Sequence, residues 1–310
     1  MEPDEKKECG SCPTESCSAR GKRPGESDKD FEERQALARR MCGIKHKILV
    51  LSGKGGVGKS TVAASLAVAL SQTERRVGLL DIDLHGPSIP RLLGLTDGRV
   101  SGGEGAIEPA RTADGLKVMS MGFLLPNRDD ALIWRGPLKY SMIRQFLRDV
   151  EWGELDYLIV DSPPGTGDEP LSIAQLVEDA DGAVLVTTPQ ALSVSDVRKS
   201  VNFARQLNLP VLGVIENMSG FECPDCGSKV EVFGSGGGKD MASDMGVPFL
   251  GSVPIDPAMV PAGDSGRLGS YLSGDSPGAK AFSAVIDRLV AFVEQGDARA
   301  TKPQEEGTND

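Results

Sequence analysis

Histidine is almost absent from this 310-residue chain, which has only His46 and His85. Any metal site must therefore rest mainly on sulfur, and the six cysteines favour soft-ligand chemistry, zinc or iron–sulfur. Long apolar runs are lacking too. Ile48–Leu51 and Tyr157–Val160 are four residues each, against the roughly 20 that a membrane-spanning helix needs. The opening Met1-Glu2-Pro3-Asp4-Glu5 is acidic and has no apolar secretory core, so a cytoplasmic protein without a membrane partner is expected. Positive charge is in deficit, with 34 Lys and Arg against 45 Asp and Glu and a net charge of −11. Nucleic-acid binders use a cationic field to displace counterions from phosphates, so no nucleic-acid partner is expected. Arg34, Arg39, Arg40, Lys45 and Lys47 are the best candidates for a local basic patch, but a solvated helix face is the favoured reading of them.

What is present divides into three regions. Residues 1–44 are polar and cysteine-bearing, with a helical stretch near Phe31–Met41. Residues 45–295 alternate β-rich runs with amphipathic segments, and residues 296–310 read as a disordered tail. Strand-like runs fall at Lys47–Ser52, Val77–Asp81, Tyr157–Asp161, Ala183–Thr187, Val211–Glu216 and Phe249–Val253. Helical patterns lie between most of them, at Ser60–Ser71, Leu138–Val150, Pro170–Val177, Ser193–Leu207 and Met241–Met245. Continuously apolar strands separated by helices predict an α/β fold, a mostly parallel sheet covered on both faces. The glycine-rich stretch from Leu95 to Arg128 reads as a loop with a short hairpin, and no internal repeat is visible.

Gly53-Lys54-Gly55-Gly56-Val57-Gly58-Lys59-Ser60 follows a strand and opens a helix, the context that a phosphate-binding P-loop requires. Its glycines let backbone N–H groups curl around a phosphate, and the helix N-terminus adds a favourable dipole. Lys59 is placed to reach the β- and γ-phosphates and the Ser60 hydroxyl to bind Mg²⁺; Thr61 completes the nucleotide-facing set. Tyr157–Asp161 ends a buried strand in an acid, a Walker B pattern in which Asp161 holds Mg²⁺ directly or through water. Asp81 and Asp83 end another strand at the same edge, where one of them can orient the attacking water. Lys54 is a second lysine within the loop. This motif resembles the MinD/ParA-like class of P-loop NTPases, in which that lysine contacts the nucleotide of a facing subunit and acts like an arginine finger; the alternative is a solvated loop lysine.

Cys223-Pro224-Asp225-Cys226-Gly227 is a tight turn that aims two thiolates at one metal. Such turns also form zinc knuckles, but tetrahedral zinc needs two further ligands and no second pair lies nearby. Two thiolates per chain are half of a Cys₄ set, which a two-fold dimer would complete around an iron–sulfur cluster. Zinc and a redox or inert pair stay open beside that reading.

Several motifs together resemble the Mrp/nucleotide-binding-protein family of iron–sulfur cluster carrier ATPases. They are Lys47–Ser52 leading into the P-loop, Asp81-Ile82-Asp83 with Gly86-Pro87-Ser88, Ile133-Trp134-Arg135-Gly136-Pro137 and Asp161-Ser162-Pro163-Pro164-Gly165-Thr166. Asn217-Met218-Ser219 with the cysteine turn, and Phe233-Gly234 with Gly236-Gly237-Gly238, complete the set. The resemblance spans about residues 45–290. It implies ATP as the nucleotide, a homodimer or a heterodimer with a paralogue, and a [4Fe-4S] cluster that Cys223 and Cys226 share between subunits for transfer to apoprotein acceptors. It also implies that Asn217 recognises adenine and that Asp83 assists hydrolysis. Cys9, Cys12 and Cys17 resemble the ferredoxin-like motif of one branch of the family, but their spacing is one residue shorter and no cysteine precedes Cys9. A second cluster there, with Cys42 as a fourth ligand, stands beside zinc or a labile cluster. Two other functions remain in view: a MinD/ParA-like spatial organiser and a zinc-stabilised NTPase metallochaperone.

Overall fold

The computed structural model describes residues 21–295 apart from 84–85, 97–99, 101, 104–105, 125–135 and 224–225. Helix α1 (Asp28–Cys42) leads into strand β1 (Ile44–Ser52), helix α2 (Lys59–Ser71), β2 (Val77–Asp81) and the short α3 (Ile89–Leu92). The hairpin of β3 (Gly102–Gly103) and β4 (Ala106–Ile107) follows, then β5 (Ala110–Arg111) and β6 (Lys117–Ser120). Next come α4 (Gly136–Asp149), β7 (Leu155–Asp161), α5 (Asp168–Leu176), β8 (Gly182–Thr187) and α6 (Ala191–Gln206). The last third holds β9 (Val211–Glu222), β10 (Lys229–Val230), α7 (Gly237–Asp244), β11 (Phe249–Ile255), α8 (Met259–Asp264), α9 (Leu268–Leu272) and α10 (Pro277–Glu294).

Among the described residues nine strands form the main sheet, in the order β10-β9-β8-β1-β7-β2-β6-β5 with β11 also on β9. The strands from β11 to β6 pair parallel, while β5 and β10 add antiparallel ends. This is the mostly parallel, doubly covered sheet expected of a P-loop NTPase. Its two cores follow from the period of two along each strand. Ile48 and Val50 of β1 face the core shared with α2 and α10, whereas Leu49 and Leu51 face the core shared with α4 and α6. Burying a side chain of this size contributes about 1.5–3 kcal/mol. The apolar residues of α10 are part of the first core, with Phe282, Val285, Ile286 and Leu289 buried, so this helix packs on the sheet. No described helix is long and apolar enough to cross a membrane.

Three details differ from the sequence reading. The stretch from Leu95 to Arg128 holds the expected hairpin and also β6, whose Val118 and Met119 are buried beside β2. A four-residue strand carries too little alternation to show in sequence. Second, β9 runs on past Glu216 to Glu222. It bulges there: Asn217 and Phe221, four apart, pair with Val253 and Ile255, two apart. Met218 and Gly220 within the bulge have φ of +56° and +73°. Third, the candidate basic patch is largely neutralised. Arg34 pairs with Glu26, Arg40 with Glu151, and the buried Lys47 with Asp179.

Helix α1 is docked on the sheet domain. Leu37 and Met41 are buried in the core that includes Ile143 and Phe146 of α4. Arg40 donates from both terminal nitrogens to Glu151 at 2.9 Å, and Arg144 pairs with Glu33 at 2.8 Å.

Candidate functional site

Parallel strands all end at the same edge, and five of them deliver the candidate site there. The loop after β1 surrounds a cleft of about 220 Å³ lined by Ser52, Lys54, Gly55, Gly56, Gly58, Lys59, Ser60, Thr61, Asp83, Ser88 and Pro164. Gly56 and Gly58 both have φ of +80°, the left-handed backbone that turns N–H groups inward and hands the chain to α2. Gly53 and Val57 of the motif lie outside the cleft lining. A Cβ on Gly53 would sit 2.3 Å from the Asp196 backbone, so this glycine is needed for packing against α6.

Register brings the acids together. Asp81 of β2 pairs directly with Asp161 of β7, and both are fully buried. Lys59 donates to Asp161 Oδ1 at 2.5 Å, while Asp161 Oδ2 is buried with no hydrogen-bond partner. An unsatisfied carboxylate oxygen beside the Lys59–Ser60 pair fits a Mg²⁺–nucleotide, with Ser60 and Asp161 as the residues to hold the cation. Burial pushes the Asp161 carboxyl up, and the Lys59 ammonium offsets part of that rise. Asp81 is pushed up to about 8, first by desolvation and then by the charge of Asp161. Ser120 donates to Asp81 Oδ2 at 2.7 Å and the Asp83 backbone N–H to Oδ1 at 3.0 Å. Asp81 thus ties β6 and the Asp83 turn to the site, and of the two acids only Asp83 lines the cleft. Lys54 also lines the cleft and makes no ion pair among the described residues.

Asn217 follows the last β8-paired residue of β9. Its Nδ2 donates to the Val57 carbonyl at 2.9 Å, and a Cβ on Gly58 would meet that nitrogen at 2.3 Å. The side chain therefore braces the P-loop from behind and does not line the cleft. Six residues on, the cysteine turn is closed by Cys223 N–H to Ser228 O and Gly227 N–H to Cys223 O, both 2.9 Å. Cys226 is exposed and Cys223 half-buried. Hydrogen bonding to Ser228, and then to Cys223, holds the Cys226 thiol below the usual range, which favours the thiolate that binds metal. Among the described residues no group of three or more His, Cys, Asp or Glu side chains could enclose a metal ion within one chain.

The model of the ParA group described as NUBPL iron-transfer P-loop NTPase matches residues 43–290. The chain belongs to that family. An iron-sulfur cluster carrier protein from Methanocaldococcus jannaschii is 48% identical over 287 residues, 92% of this chain and 96% of the relative. One of the same name from Saccharolobus solfataricus is 50% identical over 255 residues, 82% of this chain and 86% of the relative. Among solved structures, the nucleotide-binding protein from Archaeoglobus fulgidus in complex with ADP and with cobalt is 44% identical. It aligns with a TM-score of 0.69 over 77% of this chain and 93% of that chain. The septum site-determining protein MinD of Pyrococcus horikoshii with Mg-ADP shares the fold at 23% identity, with a TM-score of 0.59 over 81% and 98% of the two chains.

For this NUBPL-type NTPase, part of the candidate set lies elsewhere. Cys9, Cys12, Cys17, His85 and the Ile133–Arg135 motif fall outside the described residues. Cys42 is described, exposed at the end of α1 on the far side of the chain from Cys223 in sequence. Two residues that support the site without lining the cleft were missed by motif reading. Ser120 sits on the unrecognised β6, so nothing pointed to its bond with Asp81. Glu216 looked like the end of an apolar strand, although a buried acid in Ile215-Glu216-Asn217 was itself a signal that partners await it.

Proposed function

We propose that this chain is an ATP-hydrolysing carrier of [4Fe-4S] clusters that accepts a cluster on Cys223 and Cys226 and transfers it to apoproteins. The observation that carries the reading is a P-loop cleft and a cysteine pair with an exposed Cys226 at one strand edge, with β9 running from the Asn217 brace to the residue before Cys223. The relatives' name as cluster carriers, at 48–50% identity over most of the chain, supports the same cargo.

In the nucleotide step, the β- and γ-phosphates compete for Lys59, drawing it from Asp161 and freeing that carboxylate for the cation. Bound Mg²⁺ would neutralise charge developing on the phosphates. Asp83, on the cleft wall, orients the attacking water. Lys54, also on the wall and without an ion pair among the described residues, reaches a facing subunit's nucleotide, so hydrolysis requires a dimer. Asn217 holds the P-loop in register, and its adenine contact is made from that braced position. Residues 1–44 carry a second cysteine site on Cys9, Cys12 and Cys17, preceding the ATPase region 45–295 and the tail 296–310.

Anaerobic reconstitution with iron and sulfide, followed by metal analysis and transfer to an apo-ferredoxin, tests the reading. A cluster spectrum lost in Cys223→Ser and a nucleotide-dependent transfer rate are expected. Stoichiometric zinc in anaerobically purified chain, with no iron uptake, overturns it.

A further inference from the structure

Glu216 is fully buried, and among the described residues no cationic side chain hydrogen-bonds to it. Its carboxylate instead collects donors from both ends of one chain excursion. Oε1 accepts from Ser219 Oγ at 2.6 Å and from the Gly236 N–H at 2.8 Å, and Oε2 accepts from the Gly238 N–H at 2.5 Å. Ser252 Oγ on β11 adds a long contact at 3.5 Å. Residues 217–235, the segment between those ends, carry Cys223 and Cys226.

The glycine run Gly234-Ser235-Gly236-Gly237-Gly238, left unexplained by the nucleotide site, is accounted for by this carboxylate. Inward N–H groups at the start of α7 make an anion cradle, and the internal Glu216 fills it. Side chains cannot replace these glycines. A Cβ on Gly237 would lie 2.4 Å from the Pro189 carbonyl oxygen, and one on Gly238 would lie 2.9 Å from Thr187 and 3.0 Å from Glu216 Oε2. Immediately beyond Glu216, Asn217 touches the P-loop and the bulge at Met218 and Gly220 releases β9 from its β11 register. The excursion is thus fixed at its base, in contact with the nucleotide loop, and rejoins the sheet further out, where Phe221 pairs with Val230 and Ile255.

We infer that Glu216 is the positioning residue for the Cys223–Cys226 pair: its carboxylate closes the base of the excursion, so that movement of the P-loop at Asn217 reaches the thiols. This rests on the cargo-holding reading of the two cysteines. The bulge interrupts the β11 register between the P-loop contact and the cysteine turn, and the four-donor clamp gives that interval a fixed pivot. Glutamine is isosteric but turns one acceptor into a donor facing an N–H group, so one end of the excursion is released.

Peptide-resolved iodoacetamide labelling of the metal-free full chain, with and without Mg-ATP, tests this. In the parental chain Mg-ATP should change the labelling rates of Cys223 and Cys226. Glu216→Gln should keep ATP affinity but label about tenfold faster, as loss of a charge-assisted bond implies, and no longer respond to Mg-ATP. Should Glu216→Gln fail to fold, Ser219→Ala decides, because it removes only the 2.6 Å bond on the excursion side. It should shift labelling in the same direction, whereas Ser252→Ala, on the sheet side, should leave it unchanged. Parental labelling and response in both Glu216→Gln and Ser219→Ala overturns the inference, as does an equal effect of Ser252→Ala. Iron and sulfide reconstitution of the parental chain is read separately: failure to bind iron removes the cargo reading while leaving a labelling result for Glu216 intact.

Discussion

At the scale of residues, the nucleotide site is a cluster of buried charges in which each group is held by another. Lys59 and Asp161 form a pair with almost no exposure, so removing the cation leaves an uncompensated carboxylate. Lys59→Ala should abolish nucleotide binding and, in nucleotide-free chain, cost about 3 kcal/mol in urea unfolding. Adding Asp161→Asn should recover most of that loss, and an additive double variant would contradict the pairing. Lys54→Ala should bind ATP with parental affinity yet hydrolyse it poorly, and parental turnover would end the cross-subunit role. Asp81 gives a pH dependence whose sign follows from its environment. Its folded value of about 8 lies above the ordinary carboxylate range, so the folded chain holds a proton that the unfolded chain has released. Stability from this group is present in acid and falls as pH rises through 8, and Asp161 acts in the same direction. Thermal unfolding of nucleotide-free chain should therefore show a midpoint that falls from the ordinary carboxylate range up to about pH 8 and levels off above it, a decline flattened in Asp81→Asn. An equally steep decline in Asp81→Asn would assign the effect elsewhere.

At the scale of elements, the sequence was most legible where periodicity and function coincide. The strand Lys47–Ser52 running into a glycine loop and then into Ser60–Ser71 could be read because the alternation, the glycines and the apolar helix each point to the same turn. Val77–Asp81 came out at its observed limits for the same reason: five buried residues end at an acid. Legibility failed where contacts are distant. Gly53 looks like a phosphate glycine, yet α6, more than 130 residues on, dictates it. Likewise Asn217 reads as a base-recognition residue, and nothing around it in sequence reveals the bond its amide makes to the Val57 carbonyl, 160 residues away. Glu216 gave no hint of its Gly236 and Gly238 partners, since a clamp across 20 residues leaves no local pattern. The docking of α1 was equally hidden and has a measurable consequence. A chain starting at Gly21 should unfold at the parental midpoint. A chain starting at Ile44 loses the packing of Leu37 and Met41, together worth roughly 3–6 kcal/mol, along with the Arg40–Glu151 pair. Equal midpoints for the two truncations would show that α1 contributes nothing to the sheet domain.

At the scale of the whole molecule, the proposed cargo sets a geometric demand: the Cys223–Cys226 turn offers two sulfurs, and a cubane cluster takes four ligands. Cys223 and Cys226 share a turn, and no third sulfur or imidazole joins them among the described residues. In the proposed reading, a cubane cluster at this turn draws its other ligands from a second copy. The surface around the turn suits that: Val230, Val232 and Phe233 are 50%, 52% and 40% exposed, an apolar group that a facing chain would cover. The proposed cross-subunit role of Lys54 makes the same demand on the P-loop. One two-fold axis passing near the strand edge would meet both. Cys223→Ser or Cys226→Ser should then remove about four irons per dimer, the content of one cubane, while ATP affinity is retained. Mixing parental chain with a Cys223→Ser/Cys226→Ser double variant should yield heterodimers without a cluster, since each contributes to a single shared site. Their iron content, measured after separation by distinct tags, should fall to nothing at this site rather than to one half. A chelator should strip the parental cluster readily, because a cluster on an exposed turn near the axis has no protein shell over it. Retention of a full cluster by isolated monomer, or half occupancy in the mixed dimers, would place all four ligands within one chain and rule out the shared site.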